Sequence, residues 1–359
     1  MWIEKLTVEN CRLLKKVNIS FSPKLNILVG DNASGKTSLL EALSLLSSGR
    51  SFRTSHISDV ITHENESILV SAKTHSIDSS AQLGIQKSKN KSKIRINKKN
   101  IFSQAELSLH LPITVIHPNS IELITGSPKL RRAYIDWMAF YLYPDFHEKW
   151  KKYQHVLRQR NICLKSNKHR RSLNKWTEEL IILQPYINEY RSNALNALKT
   201  EWIEITNHLF KNINFDIFYK TGFPENTPLD NESLFNYYTE RESYDIKIQR
   251  TSGGVHRADF KLLMDNKLAV ETASRGQLKL LAISLLLAQS RTINNINKEK
   301  GILLIDDLAA ELDNHNKQKL LDYLSTLNQQ LIVTMTKASK YPDLEFKMFH
   351  VKHGDITEQ

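Results

Sequence analysis

Apolar residues alternate with polar ones through much of the first third of the chain, which is the period of a half-buried strand. Val17, Ile19 and Phe21 follow it, as do Ile68 to Ser71, Leu83 with Ile85, Ile94 with Ile96, and Ile113 to Ile116; the segments after residue 50 predict an added antiparallel sheet. Two segments break the alternation. Leu25, Ile27, Leu28 and Val29 form a strand apolar on both faces, and Leu39, Leu40, Ala42, Leu43, Leu45 and Leu46 follow at helical spacing. Between about Pro128 and Lys211 the interval becomes three, four or seven. Leu130, Tyr134, Trp137 and Tyr141 lead, after Pro144, to Phe146, Trp150, Tyr153 and Leu157. A second stripe runs through Leu180, Ile187, Tyr190, Ala194, Leu198, Trp202, Ile205 and Leu209. So narrow a stripe predicts a helical hairpin or short coiled-coil arm, with Pro185 kinking or restarting its second helix and residues 161–174 at its tip.

The last third returns to alternating strands and helices. Phe260 to Leu263 reads as a strand, Leu278 to Gln289 as a helix and Ile302 to Ile305 as a buried strand. The helix Lys317 to Leu327 and the strand Leu331 to Val333 complete a parallel-sheet pattern. The predicted fold is therefore α/β: a head split between residues 1–122 and 246–359, an added antiparallel sheet, and a helical arm inserted at 123–245.

The chemistry sits where the apolar strand meets the helix. Gly30-Asp31-Asn32-Ala33-Ser34-Gly35-Lys36-Thr37 is a complete G-x-x-x-x-G-K-T phosphate loop in the context that motif requires. Its glycines let backbone N–H groups curl around a phosphate, and the helix beginning near Gly35 aims its positive end at the same oxygens. Lys36 adds a cation for the β- and γ-phosphates, and Thr37 offers a hydroxyl to Mg²⁺. Asp306 and Asp307 end the apolar strand Ile302–Ile305, so Asp306 is the candidate to hold Mg²⁺ through water and Asp307 to orient or deprotonate the attacking water. Ser274-Arg275-Gly276-Gln277 opens an apolar helix; Ser274 is placed as an N-cap, and such a start can bind a γ-phosphate as readily as it caps itself.

Composition narrows the partners. The 359 residues carry 50 Lys and Arg against 38 Asp and Glu, a net charge of +12 that favours a polyanion such as nucleic acid. Lys87, Lys89, Lys91, Lys93, Arg95, Lys98 and Lys99 form one acid-free run, and Lys165, Lys168, Arg170 and Arg171 crowd the arm tip. No recognition-helix or zinc-finger pattern accompanies them, so contacts with DNA are expected at phosphates and shape, not at base edges. Cys11 and Cys163 are too far apart in sequence and too few for a disulfide framework or a zinc site. The longest apolar stretch, Leu280 to Ala288, is far short of the roughly 20 residues a bilayer needs, and Met1 to Leu6 holds a charge of each sign; the expectation is a cytoplasmic protein with no membrane partner.

Ser274 to Gln277 resembles the signature of the ABC-type ATPase superfamily, and Ala310-Glu311-Leu312-Asp313 its D-loop. The ordered set of the phosphate loop with Leu39-Leu40-Glu41-Ala42, Gly49-Arg50-Ser51-Phe52-Arg53-Thr54, Gly126-Ser127-Pro128 with Arg131, Arg132 and Asp136, His256-Arg257 with Asp259, the Ser274 signature and Ile305-Asp306-Asp307 resembles the RecF family of bacterial recombination-repair ATPases over essentially the whole chain. Val255, Ala258 and Ala273 depart from the family's usual proline, acid and leucine, and Thr334 stands where transporter ATPases carry a switch histidine. The resemblance implies an ABC/SMC-type head and ATP-dependent homodimerisation on single-stranded, duplex or gapped DNA, with Ser274, Arg275, Gly276 and Gln277 reaching the nucleotide of a second copy. It also implies slow, DNA-stimulated ATP hydrolysis with roles in DNA replication and the SOS response, and RecO and RecR as partners in loading RecA at single-strand gaps. Two other readings stay open on the residues alone. An ATPase subunit of a transporter is opposed by the inserted arm, the charge and Arg275; a nucleotide switch with negligible turnover is compatible with the short Asp307 base.

Overall fold

The computed structural model describes all residues except 78, 167–170, 297–299, 308–311 and 337–345. Two compact units divide the chain, Met1–Ser120 with Lys279–Gln359, and Ile121–Leu278. The second boundary thus falls at Leu278, so residues 246–278 group with the helical unit.

The strands in chain order are β1 Trp2–Cys11, β2 Leu14–Ser20, β3 Leu25–Val29, β4 Ser67–His75, β5 Ser80–Ser88, β6 Ser92–Ile96, β7 Lys99–Ile101 and β8 Ile113–Ile116. They continue as β9 Phe215–Lys220, β10 Asp259–Met264, β11 Lys267–Leu268, β12 Ile302–Ile305, β13 Leu331–Met335, β14 Phe346–Lys352 and β15 Asp355–Glu358. In the first unit one sheet is antiparallel, in the order β2-β1-β4-β5-β6-β7, and alternates buried and half-buried positions along β4. The other runs β15-β14-β3-β13-β12-β8; β14, β3, β13, β12 and β8 are parallel to their neighbours, and β15 is an antiparallel edge. Every residue of β12 and β13 is buried, as sequences apolar but for Thr334 require.

The helix Lys36–Ser48 is buried along almost its whole length. Its apolar side is held between two sheets, because one hydrophobic cluster joins its Leu39, Leu43 and Leu46 to Val8, Val70 and Ile85 of the antiparallel sheet and to Leu28, Leu304 and Ile332 of the parallel sheet. Each such leucine contributes about 1.5–3 kcal/mol by leaving water, so the phosphate-loop helix is among the most firmly held elements of the unit. Gln330 adds a polar stitch: its amide accepts from Ile3 N–H at 2.8 Å and donates to the carbonyls of Ile3 and Ser22 at 2.9 and 2.8 Å.

Two strands differ from the sequence reading. Ile113–Ile116 is β8, paired parallel to β12, and not a member of the antiparallel sheet. Three of its four residues are buried, and so short an apolar run carries no period that could have told the two sheets apart. Phe260–Leu263 lies in β10, which pairs antiparallel with β9 and β11 in a separate three-stranded sheet of the second unit. The turn between β10 and β11 is Asp265-Asn266, both with positive φ (46° and 64°), the conformation a tight hairpin demands.

The helices Pro128–Leu142 and Phe146–Lys165 are separated at Pro144 as predicted, and Leu173–Leu209 packs against both. This last helix runs 37 residues through Pro185 without restarting. Buried arginines tie the unit together. Arg160 meets Asp245 at 2.9 Å, Arg191 holds Asp136 through two bonds at 2.7 and 3.1 Å, and Arg131 holds Asp259 likewise. Among the described residues no helix is long and apolar enough to cross a membrane.

Candidate nucleotide site

The loop after β3 keeps its shape through residues that tolerate it. Gly35 has φ 116° and begins the helix, and a Cβ on Gly30 would lie 2.2 Å from the Val351 carbonyl. Ala33 takes the left-handed conformation at φ 61°. Gly354 N–H donates to Ser34 O at 2.8 Å and so pins the loop to the β14–β15 turn. Lys36 is only 7% exposed; its ammonium folds across the loop and donates to Gly30 O and Asp31 O at 2.6 and 2.7 Å. Burial lowers its pKa, opposed by the charges of Asp307, Asp306 and Asp31. Ser34 Oγ is buried without a hydrogen-bond partner among the described residues, an orphan that an anion in the loop could satisfy.

Because β13 lies between β3 and β12, the ends of the three strands meet. Asp306 Oδ1 accepts from Thr37 Oγ1 at 2.9 Å and from Thr334 Oγ1 at 2.9 Å. The Thr334 hydroxyl also accepts from Asp307 N–H at 2.8 Å. Asp307 is left-handed, with φ 50°, so its chain turns away from the strand direction immediately after Asp306. Its carboxyl pKa is raised, first by burial and then by the neighbouring Asp306 charge, while Lys36 pulls it back. A hydroxyl and a carboxylate oxygen from separate elements form a hard-oxygen set of the kind Mg²⁺ takes when phosphate and water fill its remaining positions.

Gly30 to Thr37, Asp306 and Asp307 are thus brought together within the first unit. Ser274 to Gln277 is built locally: Ser274 N–H donates to Gln277 Oε1 at 2.8 Å and Gln277 N–H to Ser274 Oγ at 3.3 Å, a reciprocal cap at the start of helix Arg275–Ile296. A Cβ on Gly276 would meet nothing within 4 Å among the described residues, which leaves this helix start open to them on that side. Ala310 and Glu311, like Lys168 and Arg170, lie outside the described residues; Asp313 caps the helix Asn314–Ser325 through Asn316 N–H at 2.8 Å.

Several motif residues have partners that the sequence did not reveal. Glu41 is fully buried and accepts from the Arg12 guanidinium at 2.7 and 2.9 Å and from Ser51 at 2.5 Å. Arg131, Asp136 and Asp259 are ion-pair members, and the His256 ring, its pKa pushed down to about 4 chiefly by burial, meets Tyr153 Oη at 2.8 Å. Thr334 is the functional candidate missed as a hydroxyl, since within Leu331–Met335 it reads as one more β-branched strand residue.

A phosphate loop on a parallel sheet flanked by an antiparallel one, with an acidic strand end against the loop threonine, defines an ATPase head of the ABC/SMC class. Heads of Smc proteins share the fold, one of them at TM-score 0.61 and 17% identity over 100% of this chain and 98% of that one. The profile of the RecF/RecN/SMC N terminal domain matches residues 2–355. The DNA replication and repair protein RecF of Psychromonas ingrahamii is 34% identical over 99% of both chains, and that of Vibrio cholerae 33% identical over 100% of both. A solved structure described as the recombination mediator protein RecF with ATP in the RecFOR pathway superposes with TM-score 0.89 and 28% identity, covering 100% of this chain and 97% of that one. The chain belongs to the RecF family.

Proposed function

We propose that this protein is an ATP-dependent DNA-binding ATPase of DNA replication and recombinational repair that closes as a homodimer on ATP and hydrolyses it slowly. RecO- and RecR-like mediators, and RecA loading at single-strand gaps, belong to this reading through the family. The observation that carries it is the convergence of Lys36, Thr37, Asp306 and Asp307 at one edge of the parallel sheet.

In this reading the loop N–H groups and Lys36 hold the β- and γ-phosphates, which requires the lysine to exchange its two carbonyl bonds for phosphate oxygens. Thr37 and Asp306 would hold Mg²⁺, which when bound neutralises charge on the phosphates. Asp307 accepts a proton from water as that water attacks the γ-phosphorus. The bond to the β–γ bridging oxygen breaks, and ADP and phosphate leave. A carboxyl with a raised pKa is a better base than an ordinary aspartate, while the short side chain fits slow turnover. Ser274, Arg275 and Gly276 are proposed to cover the γ-phosphate bound by a second copy, since an open helix start can accept an anion. The test is ATP turnover with and without gapped, duplex and single-stranded DNA, alongside DNA titrations in ATP, ADP and no nucleotide. Nucleotide-insensitive DNA binding with no turnover contradicts the reading.

A further inference from the structure

The run Gly49-Arg50-Ser51-Phe52-Arg53-Thr54 has no part in the nucleotide site as proposed above. It lines a cavity of about 540 Å³ at the C-terminal end of the helix Lys36–Ser48, and Lys87 of β5 reaches the same space. Three cations therefore share one cavity: Arg50, Arg53 and Lys87. Two acids adjoin the cavity: Glu41 is held by Arg12 and Ser51 and pairs loosely with Arg53 at 3.8 Å, and Asp59 accepts from Thr54 of the wall at 2.7 Å. Lys87 Nζ donates to the Gly49 carbonyl at 2.5 Å; neither Lys87 nor Arg50 has an acidic partner among the described residues.

The bland explanation is that these cations complement the helix end. A helix C-terminus carries only about half a negative charge, which one lysine on the Gly49 carbonyl already answers. Lys87 is moreover shifted toward its neutral form, by burial first and by the Arg50 charge second, so the cations repel one another across the space. Cations held that close together suit an anionic ligand between them. The rest of the wall sets apolar Leu45, Phe52, Ile57 and Val60 beside the hydroxyls of Ser51, Thr54 and Ser55, and Phe52 is braced from behind the lining by His117, with ring centroids 5.2 Å apart. Beyond the cavity the β5–β6 register pairs Lys87 with Ser92, and positive charge continues into the hairpin turn at Lys89 and Lys91, whereas Lys93, paired with Gln86, belongs to the opposite face of the sheet. A polymer leaving the cavity meets further cations, whereas a mononucleotide has no use for them.

We propose that this cavity is a phosphate subsite for nucleic acid, in which one phosphodiester group of a DNA strand sits among Arg50, Arg53 and Lys87 with Phe52 against its sugar or base. The proposal rests on the DNA-binding reading and gives it a location. Neutralising one or two phosphates there releases counterions, so the cavity contributes to the salt dependence of binding.

The test is fluorescence anisotropy of a labelled duplex and a labelled single strand with the full chain across a salt series. The variants are Arg50→Ala/Arg53→Ala/Lys87→Ala and, as a charge-matched control, the exposed Lys5→Ala/Lys15→Ala/Lys24→Ala. The cavity variant is expected to bind at least about tenfold more weakly with a log K–log salt slope shallower by about 1–2, and the control to change by less than about threefold. Arg50→Ala alone, which keeps the backbone bonds to Ser44 and Ser48 and removes no side-chain hydrogen bond among the described residues, guards against misfolding and is expected to lose about threefold with unchanged melting temperature and ATP affinity. Displacement of the labelled DNA by inorganic phosphate or AMP at constant ionic strength would assign the cavity to a small phosphate ligand and overturn the proposal. Equal binding by wild type and cavity variant overturns the subsite but leaves the DNA reading intact; failure of wild type to bind any DNA overturns both.

Discussion

Thr334→Val replaces a hydroxyl by a methyl of nearly the same shape at a fully buried position. Two hydrogen bonds disappear, the donation to Asp306 Oδ1 at 2.9 Å and the acceptance from Asp307 N–H at 2.8 Å. The first, to a charged acceptor, is worth about 1.5–3 kcal/mol, and leaving the amide unpaired costs about 1–3 kcal/mol more. Asp306 retains Thr37 and can recruit water, so a net loss of about 2–3 kcal/mol is expected, or a melting temperature lower by about 3–4 °C in a chain of this size. The larger effect is on chemistry. Asp307 holds a left-handed backbone, a conformation disfavoured by roughly 1–2 kcal/mol for a residue with a Cβ, and its amide bond to Thr334 is one thing that keeps it there. Once that tie is cut the carboxylate drifts from the attacking water, and kcat should fall about tenfold to a hundredfold, equivalent to about 1.4–2.7 kcal/mol in the barrier. ATP affinity should change little. Single-turnover hydrolysis measured beside equilibrium ATP binding separates the two, and Thr334→Ser, which keeps the hydroxyl, should restore most of the rate. Folded Thr334→Val with wild-type turnover would refute the positioning argument.

Lys36→Ala removes the loop's side-chain cation and should abolish ATP binding, read by calorimetric titration; retained affinity contradicts the loop assignment. Asp306→Asn should weaken Mg²⁺-dependent ATP binding, whereas Asp307→Asn should bind ATP and stall as a trapped complex; equal loss of affinity in both would contradict their separate roles. Asp307→Asn should also melt higher than wild type near neutral pH. Its folded pKa is raised by burial and by Asp306, so the carboxyl's contribution is fully favourable below its unfolded pKa and is lost as pH rises through the folded value. The advantage of the variant should therefore shrink as pH falls into the carboxylate range, and thermal melts over a pH series read it directly.

The phosphate loop, the buried β12 and the amphipathic helices were legible because each carries its own period or motif within a short window. What stayed hidden depends on which strands become neighbours. Thr334 matters only because β13 lies between β3 and β12, which sets one hydroxyl between Asp306 and Asp307. Gln330 reads as a polar loop residue until Ile3 and Ser22 are found around its amide. Glu41 looks like an exposed helix position, yet Arg12 arrives from the β1–β2 turn to pair with it. Pro185 was expected to kink or restart its helix, and Leu173–Leu209 does not restart there; losing one backbone bond is a small defect in a helix whose buried face includes Leu183, Ile187, Leu198 and Trp202.

The central claim is that Ser274 to Gln277 completes the nucleotide site of a second copy, and sedimentation of wild type, Lys36→Ala, Ser274→Arg and an equimolar mixture of the two variants tests it most directly. Ser274→Arg puts a long cation at the open helix start while leaving the phosphate loop untouched, so this variant should bind ATP as a monomer. Wild type should dimerise only with ATP. Neither variant alone should do so, and the mixture should recover a heterodimer because Lys36 of one chain and Ser274 of the other rebuild one composite site. A nucleotide-independent dimer, or Ser274→Arg dimerising with ATP as well as wild type, would contradict the shared site.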